Sequence, residues 1–362
     1  MTDSALPFRS VLSGLDTIEA CYYLRRKPEA DFDFEALTII KEHLQANPRE
    51  KFAQVEIGGQ MIGVHRYGSK SGFPLVLEDS LFKIQCGEFN SPSFYVTFKS
   101  EALWRHGAAR LHRAFLDWAT AAGLQQLRPE SMSRVDFTFD YYLPNVDFDE
   151  DSVLSLSAKT ARYREDSEVQ TLVFGKSDVV LRIYDKVAEI EQKSLKVWFY
   201  DLWGLKENVW RIEWQVRKDV LRRHSIRTFD DLFAGQGDVL RYLATEHDSL
   251  RIPTQDSNRS RWPLHPLWED LIGQIGTLSC QGVYREIDPE AALNERLARI
   301  AIAVYGYCKP VAAITALQQN RDTVPLGQAL GRLSRLIERI HEPLSWYADV
   351  ESRRQQLQVG RE

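Results

Sequence analysis

The chain has 362 residues, of which 44% are hydrophobic and 11% aromatic, and a formal net charge of -5. That content is of an ordinary globular protein with two or three packed domains, and the mild acidity excludes a uniformly basic nucleic-acid coat while allowing a local basic face. Cys21, Cys86, Cys280 and Cys308 lie far apart with no Cys-x-x-Cys pair, which excludes a disulfide frame or zinc ribbon and fits a reducing cytoplasm.

The first part of the chain reads as strands broken by glycine and proline. A strand over 16–24 precedes a helix over 34–45. Strands over 52–57 and 61–67 then flank Gly58-Gly59-Gln60 as a hairpin, and further strands fall at 82–86 and 94–98. Ser100 is the expected N-cap of a helix to residue 121, with Leu103, Leu111, Phe115 and Trp118 near helical spacing and Arg105, Arg110 and Arg113 turned toward solvent or DNA. A strand at 133–142, an acidic loop at 144–151 and an apolar hairpin ending at Tyr184 follow. Then come a helix over 186–193, a strand over 209–217 and a basic run on a helix: Arg217, Lys218, Arg222, Arg223, His224 and Arg227. This order suggests a βαβ-type layer.

Past residue 251 the texture becomes linker-like and then helical. Asp288-Pro289-Glu290 starts a helix through Leu293, Leu297, Ile300 and Val304 that Pro310 is expected to interrupt. A second helix spans 326–340, and the last dozen residues read as polar and frayed. The expectation is an α+β fold: a largely antiparallel sheet with helices on one face over 1–250, then an all-α region over 251–362. No window is expected to reach the roughly 18 to 20 apolar residues of a membrane span. A cytoplasmic, bacterial setting without membrane contact is the corresponding expectation.

Three strands carry the chemistry. Alternation places Arg134, Asp136, Thr138 and Asp140 on one face, and Arg211, Glu213, Gln215 and Arg217 on one face of another strand, with Tyr184 in step with Arg182 and Lys186 on a third. The bland reading of each is a solvated sheet face. Their succession within about 85 residues favours a site: a phenol of ordinary pKa about 10 needs activation to serve as a nucleophile, and Lys186 and Arg182 are the cations expected to lower that pKa. Asp136 and Glu213, with Asp140 less central, offer hard oxygen ligands for Mg²⁺ or Mn²⁺. No two histidines stand at His-x-His spacing. No Gly-x-x-x-x-Gly-Lys-Ser/Thr loop is present either, so unwinding falls to a separate helicase. Trp203, Trp210 and Trp214 are candidates for base stacking, although core packing is expected for at least two. Tyr163 is the alternative nucleophile.

These blocks resemble the signature blocks of the Rep_trans replication initiation factors, a group of rolling-circle plasmid and filamentous phage initiators with related conjugative relaxases. The resemblance covers roughly residues 14–240. It rests on Arg134, Asp136 and Asp140; on Thr171-Leu172-x-Phe174-Gly175 with Arg182, Tyr184, Lys186 and Glu189; and on Arg211 and Glu213. It implies metal-dependent, site-specific DNA nicking by Tyr184, leaving a 5′ phosphotyrosyl link and a 3′ hydroxyl that primes synthesis. Arg134, Arg211, Arg217, Lys218, Arg222 and Arg223 are the expected DNA contacts, and origin DNA, a host helicase and a second copy of the chain the expected partners. A conjugative relaxase and a non-catalytic DNA-binding regulator are the alternatives.

Overall fold

The computed structural model describes residues 8–47, 49–50, 52–157, 160–165, 168–280 and 289–358. In chain order, β1 (Arg9–Arg26) leads to α1 (Phe34–Ala46), β2 (Phe52–Ile57), β3 (Gln60–His65), β4 (Leu75–Glu78), β5 (Phe82–Cys86) and β6 (Phe94–Phe98). Then come α2 (Ser100–His106), α3 (Ala108–Ala121), β7 (Leu124–Tyr142), β8 (Val153–Ser155), β9 (Thr160–Glu165), β10 (Glu168–Phe174) and β11 (Val179–Asp185). The short α4 (Lys186–Glu189), a π-helical turn at Ile190–Ser194 and α5 (Phe199–Trp203) precede β12 (Val209–Arg217). α6 (Lys218–Arg223), α7 (Phe229–Tyr242), β13 (Asp248–Leu250) and α8 (Pro266–Ile275) complete the first unit.

Eleven strands form one sheet in the order β2-β3-β4-β5-β6-β1-β7-β12-β11-β10-β9. The described ladders are antiparallel, so the α+β expectation holds and the suggested βαβ layer does not form. The reason is local. β6 and β7 are joined through α2 and α3 but are separated in the sheet by β1, which runs antiparallel to both.

Alternation along the central strands sorts the sheet into two faces. Val135, Phe137 and Phe139 of β7, Leu181 and Ile183 of β11, and Ile212, Trp214 and Val216 of β12 join one buried cluster with Phe115 of α3, Leu232 and Leu240 of α7, and Trp268 and Leu271 of α8. Each large apolar side chain so buried contributes roughly 1.5–3 kcal/mol. The intervening residues put charge on the other face. There Val187, Ile190, Phe199, Trp203 and Val209 form a second, smaller cluster, so α4 and α5 roof one end of the charged face.

Two expectations shift for identifiable reasons. The helix expected over 100–121 is broken at Gly107, whose φ of 77° is outside the helical region, and Ser100 lies inside α2 with its hydroxyl donated to Asp16 at 2.9 Å. At the turn into β11, Gly175 has φ 96° and a Cβ there would lie 2.2 Å from the carbonyl oxygen of Val179, which is why the Phe174-Gly175 approach to Tyr184 requires glycine.

The chain divides into two compact units, Met1–Arg285 and Glu286–Glu362. This division falls later than the expected 250/251 boundary: Leu250 pairs with Val153, and α8 buries Trp268 and Leu271 in the sheet core. The second unit holds α9 (Pro289–Gln319), α10 (Leu326–Ile340) and α11 (Pro343–Gln358). Pro310 lies within α9 instead of ending it, and the polar C-terminal stretch is helical to Gln358. Ile300–Gln319 is long and apolar enough to cross a membrane by length and composition, contrary to the expectation that no window qualifies.

Candidate active site

The charged face is built where β1, β7, β12 and β11 lie side by side. Cross-strand registry sets Tyr184 opposite Arg211, Arg182 opposite Glu213, Gln215 opposite Asp136, and Arg217 opposite Arg134. The expected strand residues therefore converge on one face. They divide into two groups.

The first group surrounds the phenol. Tyr184 donates its hydroxyl hydrogen to Glu213 Oε2 at 2.8 Å, and Arg182 donates to Glu213 Oε1 at 2.9 Å and to Gln215 at 3.2 Å. Arg134 forks onto both oxygens of Asp136, at 2.8 and 2.5 Å, and reaches Glu19 of β1 at 3.5 Å. Burial, then the neighbouring Glu213, pushes the Tyr184 phenol well above its ordinary value, with Arg211 the cation that opposes them. This overturns the expectation that Lys186 and Arg182 lower that pKa. Lys186 is buried, bonds Glu189 at 2.6 Å, and lies 5.5 Å from the centre of the Tyr184 ring.

The second group is sealed. Arg211 is fully buried and forks onto Asp140 at 2.6 and 2.8 Å, and it also bonds Asp16 at 3.1 Å. The Trp203 indole donates to the same Asp140 carboxylate at 2.9 Å, and the Arg211 guanidinium lies 4.6 Å from the Phe199 ring centre. Asp140 and Arg211 are both wholly buried, which closes Asp140 to a metal arriving with DNA and puts Arg211 out of reach of DNA; both expected roles are corrected here. Trp203, Trp210 and Trp214 are all buried, and Trp214 donates to Asp248 at 2.8 Å, so none is presented for base stacking.

Asp16 and Glu19 were missed by sequence reading. A register shift between Leu15 and Thr17 of β1 releases Asp16 from simple alternation. Burial would raise its carboxyl, but Arg211, Lys196 and Lys186 together hold it well below the usual range. An acid in the middle of an apolar strand was the available signal.

Carboxylate oxygens are donors of the kind a hard cation takes, but Arg134 holds both oxygens of Asp136, and Arg182 and Tyr184 hold those of Glu213, so a cation here would have to replace an arginine bond. Burial, and after it Glu213 and Asp16, raise the Asp136 carboxyl to about 6, so the forked Arg134 does not offset the cost of burying that charge. Among the described residues no three of His, Cys, Asp and Glu converge on a metal position. Asp136 and Glu213 would supply two carboxylates, with phosphate and water completing the shell, which is the habit of Mg²⁺.

Of the basic run, Lys218, Arg222 and Arg223 fall on α6 as expected, Arg217 ends β12, and His224 and Arg227 follow the helix. Arg217 and Arg223 are exposed, Lys218 and Arg222 half-buried, and Arg217 stands beside Arg134 at the open end of the site. The side chain of the alternative nucleophile Tyr163 lies outside the described residues.

Residues 103–235 match the family model for the N-terminal region of a phage replication-associated protein. This match supports the resemblance to rolling-circle Rep-type initiators carried by the three blocks, all of which fall within it. Among solved structures the chain is similar to the rolling circle replication initiator protein from Geobacillus stearothermophilus, at 18% identity over 74% of this chain and 97% of that chain, with a TM-score of 0.42. No curated protein matches the sequence.

Proposed function

We propose that this chain nicks and rejoins DNA at a specific origin through Tyr184 and so initiates rolling-circle replication in a bacterial cytoplasm. The observation that carries the reading is the bond from the Tyr184 hydroxyl to Glu213, 2.8 Å long, with Arg182 on the other oxygen of the same carboxylate. A phenol pushed above its ordinary pKa is protonated at neutral pH, so its proton must leave as the oxygen attacks phosphorus, and Glu213 is the acceptor already in place. The bond formed is Tyr184 Oη to phosphorus. The bond broken is phosphorus to the 3′ oxygen, which leaves as a hydroxyl after taking a proton from water.

Arg134 and Arg182 are partly exposed, at 23% and 29%, and so face the incoming phosphate. Arg217 and α6 extend that positive rim along a strand. A divalent ion bound by Asp136 and Glu213 would supply Lewis-acid polarisation of the phosphate. A host helicase performs the unwinding, and a second copy of the chain joins at the origin. The test is incubation of the purified protein with supercoiled plasmid bearing its origin, with Mg²⁺ and with chelator. Nicked circles carrying covalent protein are expected with the metal; adduct formation by the Tyr184→Phe variant would overturn the assignment.

A further inference from the structure

We propose that the helix pair α9 and α10 docks on an anionic lipid bilayer, with α9 sunk toward the acyl chains and the arginines of α10 held among the headgroups. This role belongs to the second unit alone and is independent of Tyr184. The pair is packed inside out. Among the described residues of the unit, the buried ones are Cys308, Thr315 and Ala316 of α9 and Ala329 of α10, all of them small. The large apolar side chains stand outside: Ile302 is 71% exposed, Leu317 82% and Ile340 80%. Water drives the opposite arrangement, in which large apolar groups are enclosed. Small residues between two helices and large ones around them is the packing that lipid favours.

Both helices turn an apolar row to the same side. In α9 the row is Ile300, Val304, Tyr307, Val311 and Ile314, and in α10 it is Leu326, Leu330, Leu333, Ile337 and Ile340, each at the spacing that keeps side chains on one helix face. Val304 on one side and Leu330, Leu333 and Ile337 on the other line a groove of about 290 Å³ between the rows. The charges lie elsewhere. Ile300–Gln319 has a single charged residue, Lys309, which at about 100° per residue falls opposite Ile300, and its ammonium lies 5.2 Å from the centre of the Tyr305 ring. Arg335 and Arg339 are exposed on the polar side of α10, where Arg332 also bonds Thr315 of α9 at 3.2 Å, and Glu338 is the single acid of that helix.

A bilayer fits this surface better than a second copy of the chain. Another copy seated on the two rows would leave Ile302 and Leu317, which stand outside them, in water. Ile300–Gln319 is apolar enough to enter lipid, and only 17% of it is buried, so it is not the core helix of a globular unit. A cation is costly at the middle of a bilayer, so Lys309 keeps α9 from crossing and holds it near the surface. α10, apolar on one side and arginine-bearing on the other, has the pattern of a helix that lies at the headgroup boundary. Trp346 and Tyr347 follow it, both exposed, and are residue types that settle at that boundary. Three arginines against one acid select an anionic surface.

The test is flotation of the full chain with vesicles of phosphatidylcholine alone and of phosphatidylcholine mixed with phosphatidylglycerol. Partition onto the mixed vesicles should be at least about tenfold stronger than onto the neutral ones, and Arg335→Glu with Arg339→Glu should remove that preference. Ile314→Glu with Ile337→Glu, one on each row and both exposed, should weaken partition by about 10²-fold while the helical circular dichroism stays unchanged. Tyr184→Phe should float as the unaltered chain does, whether or not it nicks. Failure to float with the mixed vesicles, equal partition onto both kinds, or flotation indifferent to Ile314→Glu with Ile337→Glu would overturn the proposal. A lipid-free dimer that this apolar pair of substitutions dissociates, in a chain that leaves vesicles alone, would overturn it in favour of a second copy.

Discussion

Asp136 and Asp140 stand on one strand, four residues apart, on the same face, each forked by an arginine. Their surroundings differ. Asp140 and Arg211 are wholly enclosed by Trp203 and Phe199 from the α5 roof, with every oxygen matched. Asp136 and Glu213 are also buried but are paired to arginines that still reach solvent, and burial, with Glu213 a smaller contributor, raises Asp136 to about 6. The same carboxylate–arginine chemistry is thus sealed at Asp140, while at Asp136 and Glu213 the acids are buried but the arginines on them reach solvent. A buried pair resists change because removing one partner strands the other in a low dielectric. A pair whose arginine reaches solvent can exchange that arginine for another cation.

The sharpest way to break this contrast is at the nucleophile. Tyr184→Phe should cut nicking on the order of 10⁶-fold, the scale seen when a covalent nucleophile is removed, while origin binding in a gel-shift assay persists. Glu213→Gln keeps the shape but lacks a basic oxygen, and should lower the single-turnover nicking rate by about 10²–10⁴-fold. If Glu213→Gln nicks normally, the proton goes elsewhere and the open group is not the reactive one.

Stability should divide the two acids in the opposite sense. Asp140→Ala leaves the fully buried Arg211 without its main partner and should cost about 3–5 kcal/mol in urea denaturation. Asp136→Asn removes a carboxylate whose charged form burial disfavours and leaves Arg134, which is 23% exposed and also near Glu19, still solvated; its cost should be smaller than that of Asp140→Ala. Nicking should nevertheless collapse in Asp136→Asn. Equal destabilisation by both substitutions would erase the distinction drawn here.

Alternation and turn chemistry made much of this legible from the sequence. The period of two placed Arg134, Asp136 and Asp140 on one face and Arg211 and Glu213 on one face of the neighbouring strand, and α6 falls where the basic run had placed a helix. What alternation cannot state is which end of a face a later segment covers. The roof comes from Phe199 and Trp203, some 60 residues after Asp140, so the burial of Asp140 and Arg211 depended on a tertiary contact with no local signature. Asp16 was hidden for another reason: a register shift in β1 alters its direction, so that alternation does not say which face it joins. The end of the first unit was misplaced because a three-residue strand, β13, is too short to carry a period.

pH offers a finer probe of the open group. With its folded pKa raised to about 6, Asp136 holds a proton more readily in the folded chain than in the unfolded one. Its contribution to stability is therefore most favourable at low pH and is lost as pH climbs from the ordinary carboxylate value through about 6. Nicking should move the other way. The ionised carboxylate is needed to hold a cation, so the rate of the unaltered protein should fall about tenfold per unit below pH 6.

The smallest expected effect tests the roof itself. Trp203→Phe preserves the ring over the sealed group but removes the indole N–H that Asp140 accepts at 2.9 Å. Arg211 keeps both of its own bonds to Asp140, so the loss should be about 1 kcal/mol, the net worth of one buried hydrogen bond. The nicking rate should not change, because nothing in the open group bonds Trp203. A drop in rate without a drop in stability would mean that the sealed group tunes the reactive one, and that the two halves of the face act together.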